Sequence, residues 1–210
     1  MASIDSLNEL LVEQLKDLYD AEKRLTKAIP KMARKATNEA LRSALEDHLQ
    51  ETEQQLGRLE EAFAYLDEKA KGKPCAGMRG IIEEGDEHVG EDYDDDDLRD
   101  AVIIGAAQRV EHYEIAAYGT AIAHAKLLGH NEIVQLLVVS MNEEKAADEK
   151  LTEIAEGVVN LDAATEDDEE QETRRASTTP QRAMAMSRAT GSRRRTTGKA
   201  TSKGGTRSRR

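Results

Sequence analysis

The chain has 210 residues, of which 38% are hydrophobic but only 3% aromatic, with one Cys, no Trp and a formal net charge of −12. One Cys excludes an intramolecular disulfide framework, no 18-residue apolar run offers a membrane span, and no β-rich stretch competes with helix-forming Ala, Leu, Glu and Lys in the first 160 positions. The average charge hides a division: residues 173–210 hold 12 Lys and Arg and no acid, about +12, whereas 18 basic and 42 acidic residues before them give about −24.

Ser6 followed by Glu9 reads as a capping box, in which hydroxyl and carboxylate satisfy amides that a first helical turn leaves free. Behind it Leu7, Leu11, Leu15, Leu18, Glu22, Leu25, Ile29 and Met32 step by three or four, the spacing of a buried stripe, so Glu22 stands where a hydrophobe belongs. Pro30 removes one intrahelical hydrogen bond and is expected to kink this helix. Thr37 or Asn38 can cap a second helix, whose stripe reads Leu41, Ala44, His48, Glu51, Gln55, Leu59, Ala62 and Leu66, apolar at both ends and polar in the middle. Gly72 and Pro74 end it. The next 25 or so residues carry Met78, Ile81, Ile82 and Val89, enough for a short helix on a long connection. Cys75, between Pro74 and Gly77, reads as a small filler in a turn.

Asp94 to Asp97 suits the positive end of a third long helix, with the stripe Ile104, Ala107, Glu111, Glu114, Tyr118, Ala121, Ala125 and Leu128. Gly129 closes it and Asn131 can open the fourth, striped by Ile133, Leu137, Ser140, Glu144, Ala147 or Asp148, Leu151, Ala155 and Val158. Two tight turns, near residues 37 and 130, imply two antiparallel hairpins of helices roughly 45 Å long at 1.5 Å per residue. Joined by a crossover that travels the bundle, they predict an all-α, ferritin-like four-helix bundle over residues 1–162. Glu22 to Glu51 spans 29 positions and Glu114 to Glu144 spans 30, so an approximate two-fold relation between the hairpins brings four acids together.

A carboxylate aimed into a helical core is costly unless a cation meets it, so four acids at mid-length suggest a shared metal centre. Oxygen ligands with an occasional His suit iron or manganese, and two divalent ions would balance Glu22, Glu51, Glu114 and Glu144. Within one helical turn of these lie further ligands or supporting groups: His48, Gln55, Glu111 and Asp148. Tyr19 and Tyr118, each a turn from a central Glu, are expected near the centre with their hydroxyls on carboxylates. His112, His124 and His130 fall off the stripes and are expected to face solvent.

Residues 163–210 begin acidic and become strongly basic, with almost nothing to bury, and are expected to be disordered. The tail's densest point, Arg193, Arg194 and Arg195, would bind DNA or RNA nonspecifically by counterion release, or lie across the acidic domain itself. The N-terminus lacks the basic and apolar regions of a signal peptide, so a cytoplasmic protein is expected.

The segments LYDAEKRLTKAIPKMA at 18–33, DHLQETEQQLGRLEEAF at 47–63, KPCAGMRGIIEE at 73–84, AQRVEHYEIAAYGT at 107–120 and EEKAADEKLTEIA at 143–155 resemble the YciE/YciF family of bacterial ferritin-like proteins. The resemblance spans about residues 5–160, leaving the basic tail outside, and implies a ferritin-like bundle, a homodimer, a di-metal carboxylate site and a stress response. The chain departs from the wider di-iron pattern in lacking a Glu-x-x-His on the second or fourth helix, since positions 54 and 147 are Gln and Ala. Three functions follow: a di-metal oxidase, peroxidase or iron-holding protein; a nucleic-acid-coating stress protein; and a structural interaction module.

Overall fold

The computed structural model describes residues 4–165. The tail beyond residue 165, with Arg193, Arg194 and Arg195, lies outside the described residues. Five helices follow in order: α1 (Leu7–Lys35), α2 (Glu39–Tyr65), α3 (Ala76–Val89), α4 (Asp96–Leu128) and α5 (Asn131–Ile154). A single wide π-helical turn, Ala155–Val159, prolongs α5, and helix continues to residue 165, three residues into the stretch assigned above to the tail. No strand occurs among the described residues.

Local chemistry sets the ends. The Ser6 hydroxyl accepts from the Glu9 amide at 3.1 Å, and Glu9 Oε2 reaches back past the cap to accept from the Asp5 amide at 2.7 Å rather than from Ser6 itself. Asn38 Oδ1 accepts from the amides of Ala40 and Leu41 to start α2. α1 runs unbroken through Pro30. Gly129 ends α4 in the left-handed region, φ 78°, where a side chain would be strained, and this reversal lets α5 begin two residues later.

The four long helices form a ferritin-like bundle. α1 pairs with α2 and α4 with α5 as hairpins, α2 packs on α5, and α1 packs on α4. Asp100 meets Thr37 at one end, while His124 meets Gln14 and His130 meets Asn8 at the other, so α4 runs antiparallel to α1. The crossover climbs beside α1: the Lys73 amide reaches the Lys16 carbonyl, Lys31 then pairs with Asp86, and Lys35 Nζ reaches the Val89 carbonyl. α3 therefore rides this connection up the outside of α1 and α4.

A small polar knot fixes where α3 starts. Cys75 caps it, its sulfur accepting from the Met78 amide at 3.3 Å, and the Cys75 amide donates to Asp20 Oδ2 at 2.8 Å. The Tyr113 hydroxyl donates to Asp17 Oδ2 at 2.6 Å and lies 2.9 Å from the Cys75 sulfur. Gly77 admits the Tyr113 ring, because a Cβ there would come within 2.6 Å of it. Burial holds the Cys75 thiol above its ordinary range, so it stays protonated. Cys75 is thus a helix cap and a tie between three helices rather than a filler.

Two apolar clusters fill the interior. One, at the end of the α1–α2 turn, includes Leu25, Ile29, Leu41, Leu45, Ile103, Ile104 and Leu151. The other, toward the α4–α5 turn, includes Leu11, Leu15, Leu59, Phe63, Ile133 and Leu137. Each such side chain contributes about 2 kcal/mol when fully buried. The polar middle of every stripe lies between these plugs.

Asp100, on the first turns of α4, is fully buried and accepts from the Thr37 amide, the Thr37 hydroxyl and the Asn38 amide. Asp100→Ala strands those donors at the α1–α2 turn and is expected to destabilise the protein by about 2–3 kcal/mol, read as a lower urea midpoint. An unchanged midpoint would show that the turn does not depend on this clamp.

Candidate metal centre

The belt between the plugs is built from one to three residues of each long helix. α1 supplies Glu22, α2 supplies His48, Thr52 and Gln55, α4 supplies Glu111 and Glu114, and α5 supplies Ser140 and Glu144, all buried. Ligand atoms of His48, Glu111, Glu114 and Glu144 all lie within 4.8 Å of one another. His48 Nε2 stands 3.4 Å from Glu111 Oε2 and 3.5 Å from Glu144 Oε2. Glu22 joins from the other side, close enough to Glu114 for the two carboxyls to influence each other's ionisation, and its Oε1 accepts from the Tyr118 hydroxyl at 2.5 Å.

Electrostatics follow from burial. Desolvation first, then the charges of neighbouring acids, hold Glu111 and Glu114 well above the ordinary carboxyl range. Glu22 is raised for the same two reasons, with the Tyr118 hydroxyl opposing. For His48 burial works against the charged form, but Glu51 and Glu144 outweigh it and the imidazole is raised. Without a cation the belt therefore keeps protons at pH values where exposed carboxylates are ionised.

Donors within the protein do not satisfy it. Glu22 Oε2, Glu111 Oε2, Glu144 Oε2, Gln55 Oε1, His48 Nε2 and both oxygens of Glu114 are buried without a hydrogen-bond partner. Buried polar atoms are normally paired, so seven unpaired atoms converging on one layer are a donor set suited to a hard or borderline metal ion. The residues present fit such an ion.

The expected residues divide on inspection. Glu22, Glu114, Glu144, His48, Gln55 and Glu111 come together in the belt. Glu51 departs from its expected inward position: its side chain is 41% exposed, and its Oε2 lies 3.2 Å from His48 Nδ1. Thr52 occupies the inward position instead, its hydroxyl donating to the His48 carbonyl. Asp148 is half-buried and turned toward Gln108 and His112 rather than into the belt. Tyr118 meets Glu22 as expected. Tyr19 does not reach the centre: its hydroxyl donates to Glu60 and its ring packs edge-on against Phe63. His112 faces solvent, whereas His124 and His130 are half-buried against Gln14 and Asn8.

Two supporting groups were not foreseen. Arg58 Nε donates to Ser140 Oγ at 3.0 Å and its Nη2 pairs with Glu143. Gln55 Nε2 in turn donates to Glu143 at 3.0 Å and to Glu144. The chain Arg58, Glu143, Gln55 thus sets the orientation of the Glu144 carboxylate. The i, i+3 spacing of Gln55 and Arg58 on α2 was the available signal, but an Arg three residues past a polar core position also reads as solvated surface.

A family model described as Domain of unknown function (DUF892) matches residues 6–164. Protein YciF of Escherichia coli K12 is 41% identical over 162 residues, covering 77% of this chain and 97% of that protein. The crystal structure of the E. coli stress protein YciF superposes with a TM-score of 0.71 at 42% identity, over 75% of this chain and 99% of that one. YcfI, a proposed structural protein of Rhodopseudomonas palustris, superposes with a TM-score of 0.70 at 47% identity, over 71% and 95%. The YciE/YciF resemblance and the bundle are thereby borne out. No helix among the described residues is long and apolar enough to cross a membrane.

The raised carboxyls give metal-free protein a definite pH response. Glu22, Glu111 and Glu114 have folded pKa values above the ordinary 4.5, so the folded state binds more protons than the unfolded chain once pH exceeds that value. Their stabilising contribution is complete below pH 4.5 and is lost as pH rises through the folded values; His48, also raised, acts in the same direction above its ordinary 6.5. Chelator-treated protein is therefore expected to unfold at lower urea at pH 8 than at pH 5, with a shallower slope for Glu114→Gln. Equal midpoints at the two pH values would contradict the electrostatics described.

Proposed function

We propose that this chain, which belongs to the family Domain of unknown function (DUF892), holds two divalent first-row ions, iron or manganese, in its acidic belt and serves in stress by consuming peroxide or oxygen or by retaining iron. The observation that carries the reading is the set of seven unpaired, buried ligand atoms in one layer. Four buried carboxylates, Glu22, Glu111, Glu114 and Glu144, balance two divalent charges. Glu114, with both oxygens unpartnered, suits the shared position between Glu22 on one side and His48, Glu111 and Glu144 on the other.

Ions of this kind would supply electron exchange with oxygen or peroxide. The protein's part is positional. Glu51 accepts from His48 Nδ1, which turns Nε2 inward and raises the ring's basicity. The Tyr118 hydroxyl holds one oxygen of Glu22 and leaves the other unpartnered. Gln55, anchored through Glu143 to Arg58, does the same for Glu144. The apolar plugs above and below restrict water to the side openings.

Elemental analysis of untagged protein tests this. Iron or manganese should survive purification or be taken up on addition, be lost in Glu114→Ala and Glu144→Ala, and bind roughly 10–100-fold more weakly in Glu51→Ala, which removes only the support of His48. Wild-type protein that takes up neither ion would end the proposal.

A second reading rests on the charge division of the sequence, 12 Lys and Arg with no acid beyond residue 172. It makes the protein a nonspecific DNA- or RNA-coating factor acting through Arg193, Arg194, Arg195 and their neighbours. Retention of duplex DNA should then weaken steeply with salt and vanish on deletion of residues 173–210; retention by the truncated chain would refute it.

A further inference from the structure

The belt is not closed on every side. Between the first half of α2 and the second half of α5 a cavity of about 440 Å³ runs inward from the surface to His48, Glu51 and Glu111. Its mouth is ringed by the exposed Ala40, Ser43, Asp47, Ala146 and Lys150, and its inner walls are Ala44, Leu45, Ala147 and Leu151. Alanines at these positions leave the space that larger residues would fill. Small-molecule sites occupy roughly 300–1,000 Å³ and combine apolar walls with a few convergent polar groups, which is the arrangement here.

The inner wall distinguishes this cavity from other grooves of the molecule. His48 is 5% exposed and Glu111 2%; both residues line the inner end of the cavity, and just behind its surface their Nε2 and Oε2, 3.4 Å apart, have no hydrogen-bond partner. A groove of about 510 Å³ beside α1 and α3, lined by Lys23, Arg24, Lys27 and Arg79, is larger but has no buried unpartnered polar atom on its wall. Volume alone therefore does not mark a site, whereas apolar walls ending on two orphaned ligand atoms do.

We propose that the α2–α5 cavity binds a small apolar molecule with one neutral O–H head, an alkanol or alkyl hydroperoxide, its tail along Ala44, Ala147 and Leu151 and its head at His48 and Glu111. An anionic head is disfavoured at the inner end, where Glu51, Glu111 and the belt acids gather, whereas the lining cation, Lys150, lies at the exposed mouth. A neutral O–H can donate to Glu111 Oε2 and accept from His48, satisfying both orphans at once. The substrate of the belt then enters along its hydrocarbon face, and the peroxide of the proposed function is an organic one. This last step rests on the metal reading; the binding cavity itself does not.

Saturation-transfer NMR with 1-octanol on the full-length chain separates the two. Metal-free protein should transfer saturation to the alkyl protons, and manganese-loaded protein should relax the protons beside the hydroxyl more than the terminal methyl. Ala147→Phe, which fills the cavity and leaves every belt residue unsubstituted, should weaken binding roughly tenfold or more while helicity and metal uptake persist. Ala146→Trp at the exposed mouth serves should the first variant fail to fold. No transfer to octanol, or transfer unchanged in the folded variants, overturns the inference. Metal uptake without octanol binding sinks this proposal alone, and octanol binding without metal uptake sinks the metal reading alone.

Discussion

Everything in this bundle is arranged around acidic groups held out of water. An unpaired buried carboxylate costs several kcal/mol, and Glu22, Glu111, Glu114 and Glu144 lie in one layer with His48 among them. A helical bundle needing only a core would be more stable with Leu at each position. The cost is bearable because it is confined: apolar clusters on both sides carry the folding energy, and the belt occupies only about two turns of each helix.

Holding such a layer together requires that four helices keep their register, and the structure fixes register at both ends and in the middle. Asp100 clamps the α1–α2 turn to the start of α4. The left-handed Gly129 sets the opposite turn. The knot of Cys75, Tyr113 and Asp17 pins the crossover beside α1 and α4. A slip of one residue in any helix would rotate its belt residues by about 100° and break the layer.

The fold was legible because its determinants are local and periodic: Ser6 and Glu9, Asn38, Gly129 and the 3–4 stripes act within a turn or two of themselves. The belt was largely legible for the same reason, since an acid in an apolar stripe is visible without a structure. The miss at Glu51 is instructive. Glu111, Glu114 and Glu144 fit the seam directly, but on α2 the steps 48 to 51 and 48 to 52 are both helical, and the acid was read in preference to Thr52. The internal repeat resolves it: Glu22 to Thr52 is 30 residues, as is Glu114 to Glu144, so Thr52 is the true counterpart of Glu144. By the same offset His48 corresponds to Ser140 and Glu51 to Glu143, two acids that both stand just outside the belt and steady a neighbour inside it. Asp100, Arg58 and the Cys75 knot were not legible, because each depends on a partner 38 to 96 residues away in sequence.

The claim that cations neutralise the belt is tested most directly by anomalous diffraction from crystals grown with iron or manganese. Two peaks are expected in the protein interior, one bounded by Glu22 and Glu114 and the other by Glu114, His48, Glu111 and Glu144. Ordered waters donating to those oxygens, with no anomalous signal among them, would contradict it.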